Sequence, residues 1–115
     1  MTLPTLSRRS LHQAYRDGSL TPRKLMAEIA ARCDALKDHN IWIYRLSAAE
    51  LEPYLQTLDG HSPDSLPLFG LPFAIKDNID LAGVPTTAAC DAFSYTPSQS
   101  ATVVQALIAA GAIPV

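Results

Sequence analysis

The sequence has few glycines and histidines, and none of them forms a motif that binds nucleotides, metals or acyl groups. Its five scattered glycines form no GxGxxG or GxxxxGK[ST] loop, and no serine lies in a GxSxG turn. His12, His39 and His61 are widely spaced and form no HExxH motif. We therefore expect exposed or capping histidines, no metal site and no cofactor. If the protein performs acyl chemistry, histidine is not its evident base.

The sequence also has few cysteines, a small net charge and no long apolar run. Cys33 and Cys90 match no zinc-binding spacing, so we expect free thiols in a reducing compartment, with a single disulfide as the weaker alternative. The net charge is -2 and no basic run exceeds Arg8-Arg9, which argues against nucleic acid or an anionic membrane as a partner. No stretch approaches the roughly 18 apolar residues of a membrane helix. These features predict a cytoplasmic protein.

What is present is the composition of one globular unit, with 48% hydrophobic and 17% charged residues. Apolar spacing and capping residues predict helices over 7–18 and 21–36, a bent helix near Pro53, and a last helix capped by Ser98 or Ser100. The β-branched and aromatic residues of 41–46 predict a strand. The final "AIPV" resembles the start of another strand. Such an ending predicts a fragment of a larger domain.

The apolar segment 68–77 predicts a buried central strand that ends at Lys76. Leu71, Phe73 and Ile75 point to one side, and Ala74 and Lys76 to the other. Ligands of open α/β sheets bind at the carboxyl ends of strands. Partial burial there would disfavour the ammonium, so that the amine could accept a proton from a hydroxyl nucleophile. The alternative is a lysine whose stem packs on the sheet while its ammonium stays in water, and Asp77 or Asp80 could also form an ion pair with it.

A long loop over 81–100, with a short helical piece, follows this segment. Loops of this length in compact domains are often functional. Asp77, Asn78, Thr86 and Thr87 are expected to satisfy or anchor loop backbone without acting in catalysis. The loop serines are expected in capping or turn roles and not as nucleophiles; they are Ser94, Ser98 and Ser100.

The segment "GLPFAIKDNIDLAGVPTTAAC" resembles the N-terminal core of the amidase signature family. The match covers Gly70, the run 71–78, Gly83, the pair 86–87 and the later "ATVVQALIAAGA" helix at 101–112. Within the family, "IWIYRLSAAEL" and "TTAACDAFSYTP" look most like the allophanate hydrolases. The resemblance implies an α/β/α fold with a mixed central sheet, of which residues 1–115 would be the N-terminal portion of a single truncated domain.

The resemblance also implies a Ser-cisSer-Lys triad in which Lys76 is the catalytic base. The family places both serines in a downstream Gly/Ser-rich segment that these residues do not contain, so the chain alone should be inactive. The implied substrate is a small-molecule amide, namely allophanate in urea degradation, with a functional link to urea carboxylase. The alternatives are a general amidase, an amidotransferase A subunit, or a non-catalytic module that pairs with a partner chain or as a homodimer.

Overall fold

Three helices precede a short parallel pair of strands, and a fourth helix connects them, in a computed structural model that describes residues 5–115. The helices are α1 (Arg8–Arg16), α2 (Pro22–Ala35), α3 (Ala48–Asp59) and α4 (Thr102–Ala109). The strands are β1 (Pro72–Phe73) and β2 (Ile113–Pro114), and short 3₁₀ turns cover Lys37–His39 and Asp91–Phe93. The predicted helical piece within the long loop is the second of these turns.

Each of the first three helices begins at a side-chain cap, and α1 and α2 begin where the sequence predicts. The side chain of Ser7 accepts a hydrogen bond from the Ser10 amide, and that of Thr21 accepts one from Lys24, with Pro22 at the first helical position. In α3, Ser47 and Glu50 form a reciprocal capping box, and Pro53 is accommodated within the helix. Local capping chemistry is thus sufficient to start these helices.

The predicted strand at 41–46 is wrong, because this segment is irregular, with a bend at Ile43, and unpaired. Within residues 5–115 no backbone hydrogen bond joins it to another segment. Ile41 and Ile43 are 60% and 63% exposed, whereas Leu46 is buried. High β-propensity describes side chains that suit a half-buried sheet, and it cannot form a strand without a neighbour.

The predicted cap of α4 is also wrong. The N-cap residue is Ala101, and no side chain caps the helix. The Ser100 hydroxyl instead accepts a hydrogen bond from the Ala82 amide at 2.9 Å, which ties the start of the long loop to its end. The Gln105 side-chain amide donates to the Ser100 carbonyl at 2.7 Å, which fixes the chain before the helix but supplies no acceptor for its first amides.

β1 and β2 pair in parallel, with Pro72 opposite Ile113 and Phe73 opposite Pro114. Ile113 donates to the Leu71 carbonyl at 2.8 Å, and Val115 donates to that of Phe73 at 3.1 Å. The predicted strand at 68–77 is therefore much shorter than expected, and it is half-buried and not buried. One reason is that each strand contains a proline, which has no N–H to donate to the pairing.

The core lies where the helices pack against β2, which contacts both α3 and α4. Its most buried members come from every part of the fold and include Leu11, Leu25, Val104 and Ile113. Cys33 and Cys90 are free thiols, as predicted. No helix among the described residues combines the length and the apolarity needed to cross a bilayer.

Candidate active site

Lys76 lies three residues beyond the end of β1, at the carboxyl end of the strand. It begins a tight turn in which the Ile79 amide donates to the Lys76 carbonyl at 2.9 Å. The predicted alternation is present, because Phe73 and Ile75 are half-buried whereas Ala74 and Lys76 are exposed. The partial burial expected of Lys76 is therefore not provided by residues 5–115.

The two aspartates beside Lys76 do not pair with it. The ion pairs among the described residues join Arg16 to Asp64, Arg45 to Asp34, and Arg23 to both Glu52 and Asp59. Asp77 and Asp80 are directed towards the long loop instead. The ion-pair interpretation of Lys76 is therefore wrong for this part of the chain, whereas its exposed side chain agrees with the alternative of an ammonium that stays in water.

Asp77 anchors the loop through both its backbone and its side chain. Its carbonyl accepts from the Ala88 amide at 2.9 Å and the Thr87 amide at 3.2 Å. Its carboxylate accepts from the Thr87 hydroxyl, from the Thr87 amide at 3.2 Å and from the Ala89 amide at 3.3 Å. The Thr87 hydroxyl is the main reason why the pKa of Asp77 is lowered, with the two amides adding to it. The structural role expected of Asp77 is confirmed.

Asp80 makes a second connection, four residues after Lys76. Its carboxylate accepts from the buried Thr86 hydroxyl at 2.9 Å and from the Tyr95 hydroxyl at 2.6 Å. Thr86 and Tyr95 also exchange two backbone hydrogen bonds, of 2.8 and 3.1 Å. The bond to Asp80 raises the pKa of Tyr95. Thr86 and Thr87 thus anchor the loop, as expected, each through a different aspartate.

Two consecutive alanines in the anchored loop have left-handed backbone conformations. Ala88 has a φ of 49° and Ala89 a φ of 59°. This region is unfavourable for residues other than glycine, because the Cβ atom crowds the backbone. Such conformations persist only where the surroundings impose them. Here Asp77 imposes them, because its carbonyl accepts from the Ala88 amide and its carboxylate accepts from the Ala89 amide.

Two side chains of α1 bind backbone carbonyls of the segment that leads to Lys76. His12 Nε2 lies 3.0 Å from the Phe69 carbonyl oxygen, and the Tyr15 hydroxyl donates to the Gly70 carbonyl at 2.8 Å. Both side chains are buried, and burial lowers the pKa of His12 and raises that of Tyr15. The expectation of an exposed or capping histidine is therefore wrong for His12. The sequence did contain a signal for the burial of His12, because this residue follows Leu11 and lies on the helix face that carries Tyr15.

An open cleft of about 350 Å³ lies beside Lys76. Its walls are mainly apolar and come from the unpaired segment 41–46, the turn after β1, the first part of the long loop, and Val115. None of its lining residues is a serine, threonine or cysteine in the part of the chain that the structure describes. The cleft therefore offers an amine and apolar contacts, and a nucleophile would have to come from elsewhere.

The other candidate groups do not converge on this cleft. Ser100 binds the Ala82 amide, and the Ser94 amide closes the 3₁₀ turn on Asp91. His39 and His61 are exposed. Across residues 5–115, no three histidine, cysteine or acidic side chains are grouped as metal ligands would be.

A model of the Amidase family matches residues 24–115. The chain belongs to the amidase family. This match confirms the resemblance seen in the segment around Lys76, and it covers β1, the anchored loop, α4 and β2.

Similar proteins place the chain more narrowly within the amidases. It is 48% identical to urea amidolyase of Saccharomyces cerevisiae over 75 residues, which are 64% of this chain and 4% of that protein. It is 38% identical to the A subunit of glutamyl-tRNA(Gln) amidotransferase from Lacticaseibacillus paracasei over 107 residues, 91% of this chain and 22% of that protein. The chain thus spans under a quarter of each relative.

The solved structure of allophanate hydrolase from Kluyveromyces lactis has the same fold over the described chain. It matches with a TM-score of 0.78 and 31% identity, covering 96% of this chain and 18% of that enzyme. The predicted fold class, part of an amidase-signature α/β fold, is confirmed. Among amidases, the chain is thus similar to urea amidolyase and to allophanate hydrolase.

Proposed function

We propose that residues 1–115 are the N-terminal portion of a single amidase domain that hydrolyses allophanate, with Lys76 as its catalytic base. The observation that carries this proposal is the place of Lys76, at the carboxyl end of β1 within the matched region, with its amine free of ion pairs among the described residues. Ligands of α/β sheets bind at such strand ends. The similarity to urea amidolyase and allophanate hydrolase supports the choice of substrate.

In the proposed mechanism, Lys76 in its neutral form takes a proton through a bridging serine, so that a second serine attacks the amide carbonyl. The proton then passes back through the bridging serine to the leaving nitrogen, so that the C–N bond breaks, ammonia leaves and an acyl-enzyme remains; water then releases the acyl group. Both serines would lie outside these 115 residues, in a part of the domain that would also cover the cleft and withdraw Lys76 from water. The proposal extends to a role in cytoplasmic urea degradation, with urea carboxylase supplying the allophanate.

The test is an assay of ammonia release from allophanate by the complete polypeptide that carries these residues. Lys76→Met should lower kcat by about 10²–10⁴-fold, the usual contribution of a general base. Lys24→Met is the matched control, because Lys24 is exposed on α2 and makes no ion pair among the described residues. A complete polypeptide that releases no ammonia, or a Lys76→Met variant within a few-fold of its parent, would refute the proposal.

Two further assays test the domain assignment and the substrate. The 115-residue chain alone should be inactive, and hydrolysis by it would contradict the placement of both serines outside this segment. An amidotransferase A subunit is the second candidate, because the match to that protein covers 91% of the chain. Ammonia release from glutamine but not from allophanate would favour that candidate.

A further inference from the structure

We propose that Asp77 is a positioning residue that fixes the direction in which the Lys76 side chain leaves the backbone; this inference rests on the proposed role of Lys76. Asp77 directly follows Lys76, and its hydrogen bonds lead to a single loop segment, 87–89. Its carbonyl binds two amides of that segment, and its carboxylate binds two amides and one hydroxyl. A residue needed only to end the turn would not require this number of partners.

The backbone on both sides of Lys76 is therefore held. Upstream, the Val115 amide donates to the Phe73 carbonyl at 3.1 Å, and downstream the Ile79 amide closes the turn on Lys76 at 2.9 Å. Asp77 then fastens this turn to the loop. Rotation of the turn would swing the Lys76 Cα–Cβ bond, so the anchor determines where the amine can reach.

The conformation of the loop indicates that Asp77 does more than provide acceptors for free loop amides. Ala88 and Ala89 adopt left-handed backbone conformations that alanine disfavours, and each donates its amide to Asp77. A relaxed loop would move these amides away from the acceptors. The loop thus keeps an unfavourable backbone and retains its attachment to the residue next to Lys76.

The test compares Asp77→Asn with Asp91→Asn in the complete polypeptide. An asparagine at 77 would retain one acceptor oxygen and place an NH₂ group against the remaining donors of the loop. Asp91 is exposed in the same loop, and its side chain makes no hydrogen bond within residues 5–115. We expect Asp77→Asn to lower kcat by about 10–100-fold with little change in KM, because small displacements of a reacting group have effects of this order. Asp91→Asn should change neither.

Thr87 provides a second pair of variants. Thr87→Val removes the hydroxyl that donates to Asp77 and should reproduce the loss of kcat. Thr87→Ser keeps the hydroxyl and should have a kcat close to that of the parent. Hydrogen exchange at the Ala89 amide reports the anchor independently of activity and should accelerate in Asp77→Asn and Thr87→Val.

Each outcome decides the inference. Faster exchange with an unchanged kcat, or failure of both Asp77→Asn and Thr87→Val to fold, would show that the anchor is only structural. An active parent whose kcat is insensitive to Asp77→Asn would overturn this inference alone. An inactive parent would overturn the proposed function and this inference with it.

Discussion

Replacing Gly70 with alanine should destabilise the protein more than the same change at an open glycine. Gly70 has a φ of 68°, and a Cβ atom there would lie 2.6 Å from Cε2 of Tyr15. The Tyr15 ring has little freedom to move away, because it is buried and packs edge-on against Phe69, with ring centroids 5.6 Å apart. Its hydroxyl also binds the Gly70 carbonyl. The substitution therefore combines an unfavourable backbone conformation with overpacking.

The two contributions can be given separate magnitudes. A left-handed backbone costs a residue with a Cβ atom about 1–2 kcal/mol, and overpacking a buried site costs about 1–3 kcal/mol more. Gly18 is the matched control, since its φ is 77° and a Cβ atom would meet nothing within 4 Å. Gly18→Ala should therefore lower the free energy of unfolding by the backbone cost alone, about 1–2 kcal/mol. Gly70→Ala should lower it by about 2–5 kcal/mol in total.

Urea-induced unfolding of the polypeptide that carries these residues measures both changes. Repeating Gly70→Ala in a Tyr15→Leu background isolates the contact, because the smaller side chain leaves room for the methyl group. The loss caused by Gly70→Ala should then shrink towards that of Gly18→Ala. Equal losses at the two glycines, or no reduction in the Tyr15→Leu background, would refute the steric explanation.

Two further predictions concern His12 and the strained loop. Burial lowers the pKa of His12 from its usual 6.5, so the unfolded chain binds this proton at a higher pH than the folded chain does. The free energy of unfolding should therefore decline below about pH 6.5, and this decline should be weaker in His12→Gln. Urea midpoints between about pH 7.5 and pH 5 test this, and an unchanged slope in His12→Gln would contradict it. Ala89→Gly should raise the free energy of unfolding by up to about 1 kcal/mol, because glycine accepts a φ of 59°. Ala92→Gly, at a residue without positive φ, should give no gain, and equal effects at both sites would refute the strain argument.

Features determined by neighbouring residues were predictable from the sequence. Ser7, Thr21 and Ser47 cap the helices that follow them, because capping needs only a side chain and the next few amides. The position of Lys76 after an apolar run was predictable for the same reason. Its exposure was not, since exposure depends on what covers the end of the strand.

Features that depend on distant partners were not predictable. The segment 41–46 has the composition of a strand but no neighbour to pair with among the described residues, and the burial of His12 depends on the Phe69 carbonyl, 57 residues away. The sequence also suggested that Thr86 and Thr87 anchor the loop, but not that Asp80 holds one and Asp77 the other. Such pairings require the fold to bring the residues together.

The parallel pairing of β1 with β2 has a consequence for how the protein is made. β1 cannot pair until Ile113 has been translated, about 40 residues later, which takes roughly 2–8 s at ordinary rates of synthesis. During that interval the apolar segment 68–75, with its partner still missing, would be open to chaperones or to other chains emerging nearby. The strand that leads to Lys76 can therefore acquire its paired position only after α4 and β2 have left the ribosome.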